Sequence, residues 1–118
     1  MIMKHLLAFN NSLDANMLIV TTHSPYLING LTIAIKAGLL LKDHSLSDEI
    51  REKIDSVFPI KSAIQPDEIA IYEFNEVEGT VEILDTYNGL PSDDNFLNNM
   101  LERTNEDFAN LLEIQQEL

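Results

Sequence analysis

The twelve residues Met17 to Ile28, MLIVTTHSPYLI, constrain the fold of this chain more than any other stretch. Met17 to Thr22 form an apolar run that turns polar only at its end, the pattern of a strand buried on both faces of a parallel sheet. Ser24 suits a helix N-cap, and Pro25 falls at the first helical position, where its missing N–H costs nothing. The stretch therefore predicts a strand ending in Thr21, Thr22 and His23, with a helix starting directly on top of them. In open α/β sheets ligands bind at the carboxyl ends of the strands, where a helix N-terminus offers free N–H groups and partial positive charge. An anion such as a phosphate suits that corner.

The segments on either side fit an α/β reading of residues 1–118 as one domain, with a core-like part at 1–86 and a helical tail at 87–118. Ile2, Leu6, Phe9 and Leu13 recur at helical spacing and predict a helix with one buried face, ending near Asn10 to Asp14. Asp14-Ala15-Asn16 then turns into the strand. Helix, turn and strand make half of an α/β unit, so the sequence reads as beginning inside a motif. From Tyr26 to Leu41 the only charge is Lys36, yet the run is too short and too polar for a membrane span. It predicts a helix, or two helices broken at Gly30 or Gly38, packed against the sheet and followed by a Lys42-Asp43-His44 loop.

Ser47 caps a further predicted helix with Ile50, Ile54 and Val57 on one side, which Phe58-Pro59 ends. Beyond the connecting segment Lys61 to Pro66, alternating apolar residues predict two antiparallel strands, Glu68 to Phe74 and Thr80 to Leu84, on the edge of the sheet. Gly79 closes their loop. The tail, Pro91 to Leu118, reads as one or two amphipathic helices starting at Ser92-Asp93-Asp94. Leu97, Leu101, Phe108, Leu111 and Leu112 are expected to face inward.

Thr22-His23-Ser24-Pro25 at a strand-to-helix junction resembles the switch region, or H-loop, of ABC-type ATPases. The likeness is to the branch of SMC-like and overcoming-lysogenization-defect-like AAA proteins. Asp67, Ile69, Ile71, Gly79 and Val81 match the terminal strands of that core, of the form Asp-x-Ile-x-apolar and Gly-x-Val, so the likeness covers Met3 to Leu84. It implies a partial P-loop NTPase-like sheet with a buried strand, an edge hairpin and flanking helices. In that family the histidine contacts the γ-phosphate of ATP, a role that falls here on His23, with Thr22 and Ser24 beside the nucleotide. The sequence departs from the family where nucleotide and metal are held. It has no G-x-x-x-x-G-K-[ST] phosphate loop, no glycine-rich signature and no apolar strand ending in Asp-Glu. The resemblance therefore implies ATP and Mg2+ only for a completed domain, and no catalysis by these residues alone.

Charge bears on partners. The net charge is −13, distributed as +2 over residues 1–42 and −15 over residues 43–118. An acidic surface repels phosphate backbones, which argues against direct nucleic-acid binding. The expected partner is the missing N-terminal part of an ATPase or a separate ATPase subunit. A homo-oligomer is expected too, through the first helix or Tyr26 to Leu41, because a strand without neighbours leaves apolar surface to cover. The chain has no cysteine, which fits a cytoplasmic setting without disulfides.

Other readings stay in view. His23 also fits a histidine that only hydrogen-bonds within a buried loop, and the whole chain fits a free-standing acidic module that binds another subunit. A Ser-His hydrolase is disfavoured, since adjacent residues at a strand end point apart and no nucleophile elbow is present. His5, His23 and His44 lack metal-ligand spacing.

Overall fold

The computed structural model describes residues 2–13 and 16–118. Among these residues there are four α-helices, α1 (Ile2–Asn11), α2 (Pro25–Leu41), α3 (Asp48–Val57) and α4 (Phe96–Gln116). Two antiparallel hairpins accompany them: β1 (Tyr72–Asn75) with β2 (Thr80–Ile83), and β3 (Thr86–Tyr87) with β4 (Leu90–Pro91). No parallel strand pair occurs among the described residues.

α2 is the centre of the fold. Ser24 stands at its N-cap and Pro25 at its first position, as the sequence predicts, and the helix runs unbroken past both glycines. Gly38 serves packing rather than a break: a Cβ there would lie 2.0 Å from the carbonyl oxygen of Ile64. The backbone of the 58–65 segment crosses the helix at this point. Ile64 donates its N–H to the Ala34 carbonyl at 3.3 Å, and the Gln65 amide nitrogen donates to the Gly38 carbonyl at 2.7 Å. Ala34, Ile35 and Ala37 join Met3, Leu7, Phe58 and Ile64 in the buried core. Small residues along this face of α2 let a backbone lie where a sheet was expected.

α1 docks on the same segment. The buried Ser62 hydroxyl donates to the Lys4 carbonyl at 2.6 Å, and the Asn11 amide donates to the carbonyls of Lys61 and Ala63. This contact selects Met3 and Leu7 as the inward face. Leu6, Phe9 and Leu13, predicted to face inward, are exposed instead, and the side chain of Ile2 lies outside the described residues. So do Asp14 and Ala15 of the predicted turn. α3 starts where expected, with the Ser47 hydroxyl accepting from the Ile50 N–H, but of its apolar side only Ile54 packs against the core.

The first hairpin has the register Tyr72↔Ile83, Glu73↔Glu82, Phe74↔Val81 and Asn75↔Thr80, closed by Gly79 at φ +68°. It is shorter than predicted at its start, because Pro66–Glu68 forms a 3-10 turn in which the Glu68 carboxylate accepts the Gln65 N–H. It stands alone rather than at the edge of a larger sheet. Tyr72, Phe74, Val81 and Ile83 share one exposed face. The second hairpin turns on Asn88-Gly89, both at positive φ, the pairing that two-residue hairpin loops favour. α4 starts three residues after the predicted Ser92. Asn95, almost wholly buried, accepts from the Asn98 N–H and donates to the Ser92 carbonyl.

α4 then leaves the body. From Asn99 onward every residue is exposed, so Leu101, Phe108, Leu111 and Leu112 do not face inward as predicted. The radius of gyration, 18.0 Å, exceeds the roughly 13 to 14 Å of a compact domain of this length.

Candidate functional site

The sequence-predicted site lies on the segment between α1 and α2. Met17 to Thr22 is not a strand: it belongs to no ladder, and among the described residues none of its backbone groups bonds to another backbone group. A strand requires a neighbour for its N–H and C=O groups, and no other strand of this structure is placed beside it. Its side chains nevertheless alternate. Met17 and Ile19 are 84% and 81% exposed, whereas Leu18 and Val20 are 39% and 45% exposed. All four side chains are thus exposed, Leu18 and Val20 less than Met17 and Ile19.

The three candidate residues follow. Thr22 and His23 are exposed and Ser24 is half-buried at the start of α2. The Ser24 N–H donates to the Thr22 hydroxyl oxygen at 2.9 Å, and the Ser24 carbonyl accepts from the Leu27 N–H at 3.2 Å. The Ser24 side chain makes no capping hydrogen bond, so its hydroxyl is available at the helix N-terminus. Among the described residues the His23 imidazole has no hydrogen-bond partner, contrary to the reading of a histidine satisfied in a buried loop. Thr22, His23 and Ser24 are therefore brought to one open corner. A neutral or protonated imidazole there, with the positive end of a helix, suits contact with an anionic oxygen.

Two grooves lie elsewhere on the surface. One open groove lies between α2 and α4, lined by Asn29, Asn98, Leu101 and Asn105 among others. A second lies between α1 and the 60–68 segment, and neither includes Thr22, His23 or Ser24. Among the described residues no group of three or more histidine or acidic side chains is placed to hold a metal ion. The corner offers the Ser24 hydroxyl and the His23 imidazole at a helix N-terminus. No described helix is long and apolar enough to cross a membrane.

Comparison with protein-family models, characterised proteins and solved structures finds no match to this chain. Function is therefore argued from its own residues. What sequence reading missed is on α4, whose apolar residues were assigned to the interior and instead form an exposed stripe. Their spacing was legible; what they pack against was not.

Proposed function

We propose that residues 1–118 form the C-terminal portion of an ATP-binding and ATP-hydrolysing domain of ABC/AAA type, in which His23 contacts the γ-phosphate. The observation that carries this reading is the Met17 to Thr22 segment. It is apolar, alternates in exposure from Met17 to Val20, has no backbone–backbone hydrogen bond among the described residues, and leads directly into His23 and the start of α2. Such a segment has the chemistry of a strand awaiting neighbours, since pairing would satisfy its backbone and cover Met17 and Ile19. The apolar face of the β1–β2 hairpin is a second surface that a larger domain would cover.

In a completed domain, ATP and Mg2+ would supply the phosphoryl group and the charge that polarises it, held by residues outside 1–118. This chain's part is positional. α2 fixes the backbone of Ser24, Ser24 holds Thr22 through its N–H, and His23 between them reaches the terminal phosphate. The phosphate loop and the acidic strand end come from outside residues 1–118, which makes these residues inactive by themselves. The setting is the cytoplasm, where ATP is available.

The test has two parts. The DNA before the Met1 codon is translated in frame to look for a phosphate loop and an Asp-Glu strand, and proteins that co-purify with the chain are searched for the same motifs. ATP turnover by the completed assembly should fall at least tenfold in His23→Ala, with assembly retained. If neither route yields a phosphate loop, or if His23→Ala turns over normally, the ATPase reading is wrong. The alternative of an acidic module binding another subunit then takes its place.

A further inference from the structure

α4 carries a seam that no described residue covers from Leu101 onward. Taking Leu101 as position a of a heptad, the a positions are Leu101, Phe108 and Gln115, and the d positions are Leu97, Thr104 and Leu111, with Leu118 continuing the spacing two residues past the end of the helix. This is the 3.5-residue repeat by which helices pair along a stripe. Leu112 and Ile114 broaden it on either side. Phe108 and Leu111 are each 64% exposed, and Leu118 wholly so.

We infer that this seam joins two copies of the chain as an antiparallel helix pair. Three observations select a second copy as the occupant. The first is self-complementarity. A two-fold axis between Ala109 and Asn110 sets Phe108 against the second copy's Leu111, Leu101 against its Leu118, and Thr104 against its Gln115. From Leu101 to Leu118 every apolar a or d position meets an apolar one and the two polar positions meet each other, as an isologous interface requires; Leu97 lies outside the overlap. Thr104 enters this layer with its hydroxyl already donating to the Met100 carbonyl at 2.9 Å, which leaves its oxygen to accept from the glutamine amide.

The second is charge. Despite the net charge of −13, Asp107 is the only charged residue at the a, d, e and g positions from Leu97 to Leu118; Glu102, Glu106, Glu113 and Glu117 lie on the outer positions. The seam neither repels its own copy nor offers carboxylates to a basic helix. The third is extent. Leu101, Phe108, Leu111, Leu112, Ile114 and Leu118 are all exposed, so the stripe is open along its whole length from Leu101 to Leu118. Antiparallel pairing also opposes the helix dipoles and places the two acidic bodies at opposite ends. At Leu101 the seam opens onto the groove between α2 and α4, which leaves room for the second copy's Leu118.

The inference does not rest on the ATPase reading, and its test leaves His23 untouched. Sedimentation equilibrium of the intact chain at tens of micromolar should give about twice the monomer mass. Phe108→Asp and Leu111→Asp, both at exposed positions, should each weaken the dimer at least tenfold with the helical circular dichroism unchanged. Orientation is read by cross-linking, since the chain has no cysteine of its own. Mixed Thr104→Cys and Gln115→Cys chains should form a disulfide with each other, while neither forms one with itself. In the antiparallel register like positions are about 16 Å apart along the helix. A monomer, a dimer indifferent to Phe108→Asp and Leu111→Asp, or self-cross-linking of either cysteine variant would each overturn the inference.

Discussion

Two apolar stretches of this chain, Met17 to Val20 and Ile33 to Leu41, meet opposite fates. The second lies in α2 and supplies Ala34, Ile35, Ala37 and Gly38 to the interior, while the first leaves Met17 and Ile19 almost fully in solvent. The difference lies in where each finds partners for its backbone. A helix satisfies its N–H and C=O groups internally and needs only a surface to pack on; α2 finds it in the backbone of the 58–65 segment. An extended segment needs a neighbouring strand first, and the described residues offer none. Apolar composition states a demand for burial, but secondary structure decides what kind of neighbour can meet it.

That contrast can be broken by mutation. The largest effect is expected at Phe58, which is 2% exposed beneath α1: Phe58→Ala should cost about 3 to 5 kcal/mol in urea denaturation. Gly38→Ala should follow at about 2 to 3 kcal/mol. The clash of its Cβ with the Ile64 carbonyl outweighs the roughly 1 kcal/mol that alanine adds to a helix interior. A Gly38→Ala protein as stable as the parent would mean that the 58–65 segment does not cross α2 so closely.

Smaller losses sharpen the comparison. Ser62→Ala removes the buried hydroxyl that donates to the Lys4 carbonyl and should cost about 1 to 2 kcal/mol, measured by the same denaturation. Ile19→Asp, by contrast, should change stability by under about 0.5 kcal/mol, because the side chain is already in water. A cost at Ile19 comparable to that at Phe58 would show that the 17–22 segment is covered in solution and would erase the distinction between the two stretches.

The smallest effect concerns the loop after α2. The Ser45 hydroxyl and N–H both donate to the Asp43 carboxylate and hold its pKa below the ordinary carboxylate range. A depressed pKa means that the folded state favours the ionised form. The contribution is present above the unfolded pKa and is lost as pH falls through the lowered one. In Ser45→Ala, the Asp43 titration followed by NMR should move back up, and this local acid sensitivity should diminish.

Legibility followed range along the chain. Ser24 and Pro25 placed the start of α2, Ser47 that of α3, and Gly79 the hairpin loop, because each acts on backbone groups within four residues of itself. Asn88-Gly89, within the 87–118 segment expected to be a helical tail, carries an equally local hairpin signal. The start of α4 was misplaced by three residues, since Ser92, Asp94 and Asn95 are all good caps and only the burial of Asn95 chooses among them.

At the candidate site the outcome was mixed. The start of α2 at Ser24 and Pro25 was read correctly in position, but the strand expected before it does not form. The burial expected of it was not found, because burial depends on what lies alongside. The same holds for α1, where Met3 and Leu7 turned inward in place of Leu6 and Phe9, and for α4, whose stripe faces out.

The sequence by itself determined where elements begin, where the chain turns, and which side chains share a face, since these follow from contacts a few residues apart. Only the tertiary structure decided which apolar faces are covered. Burial is a competition among all surfaces of the chain, and the 58–65 segment, by crossing at Gly38, took the face of α2 and left the 17–22 segment open.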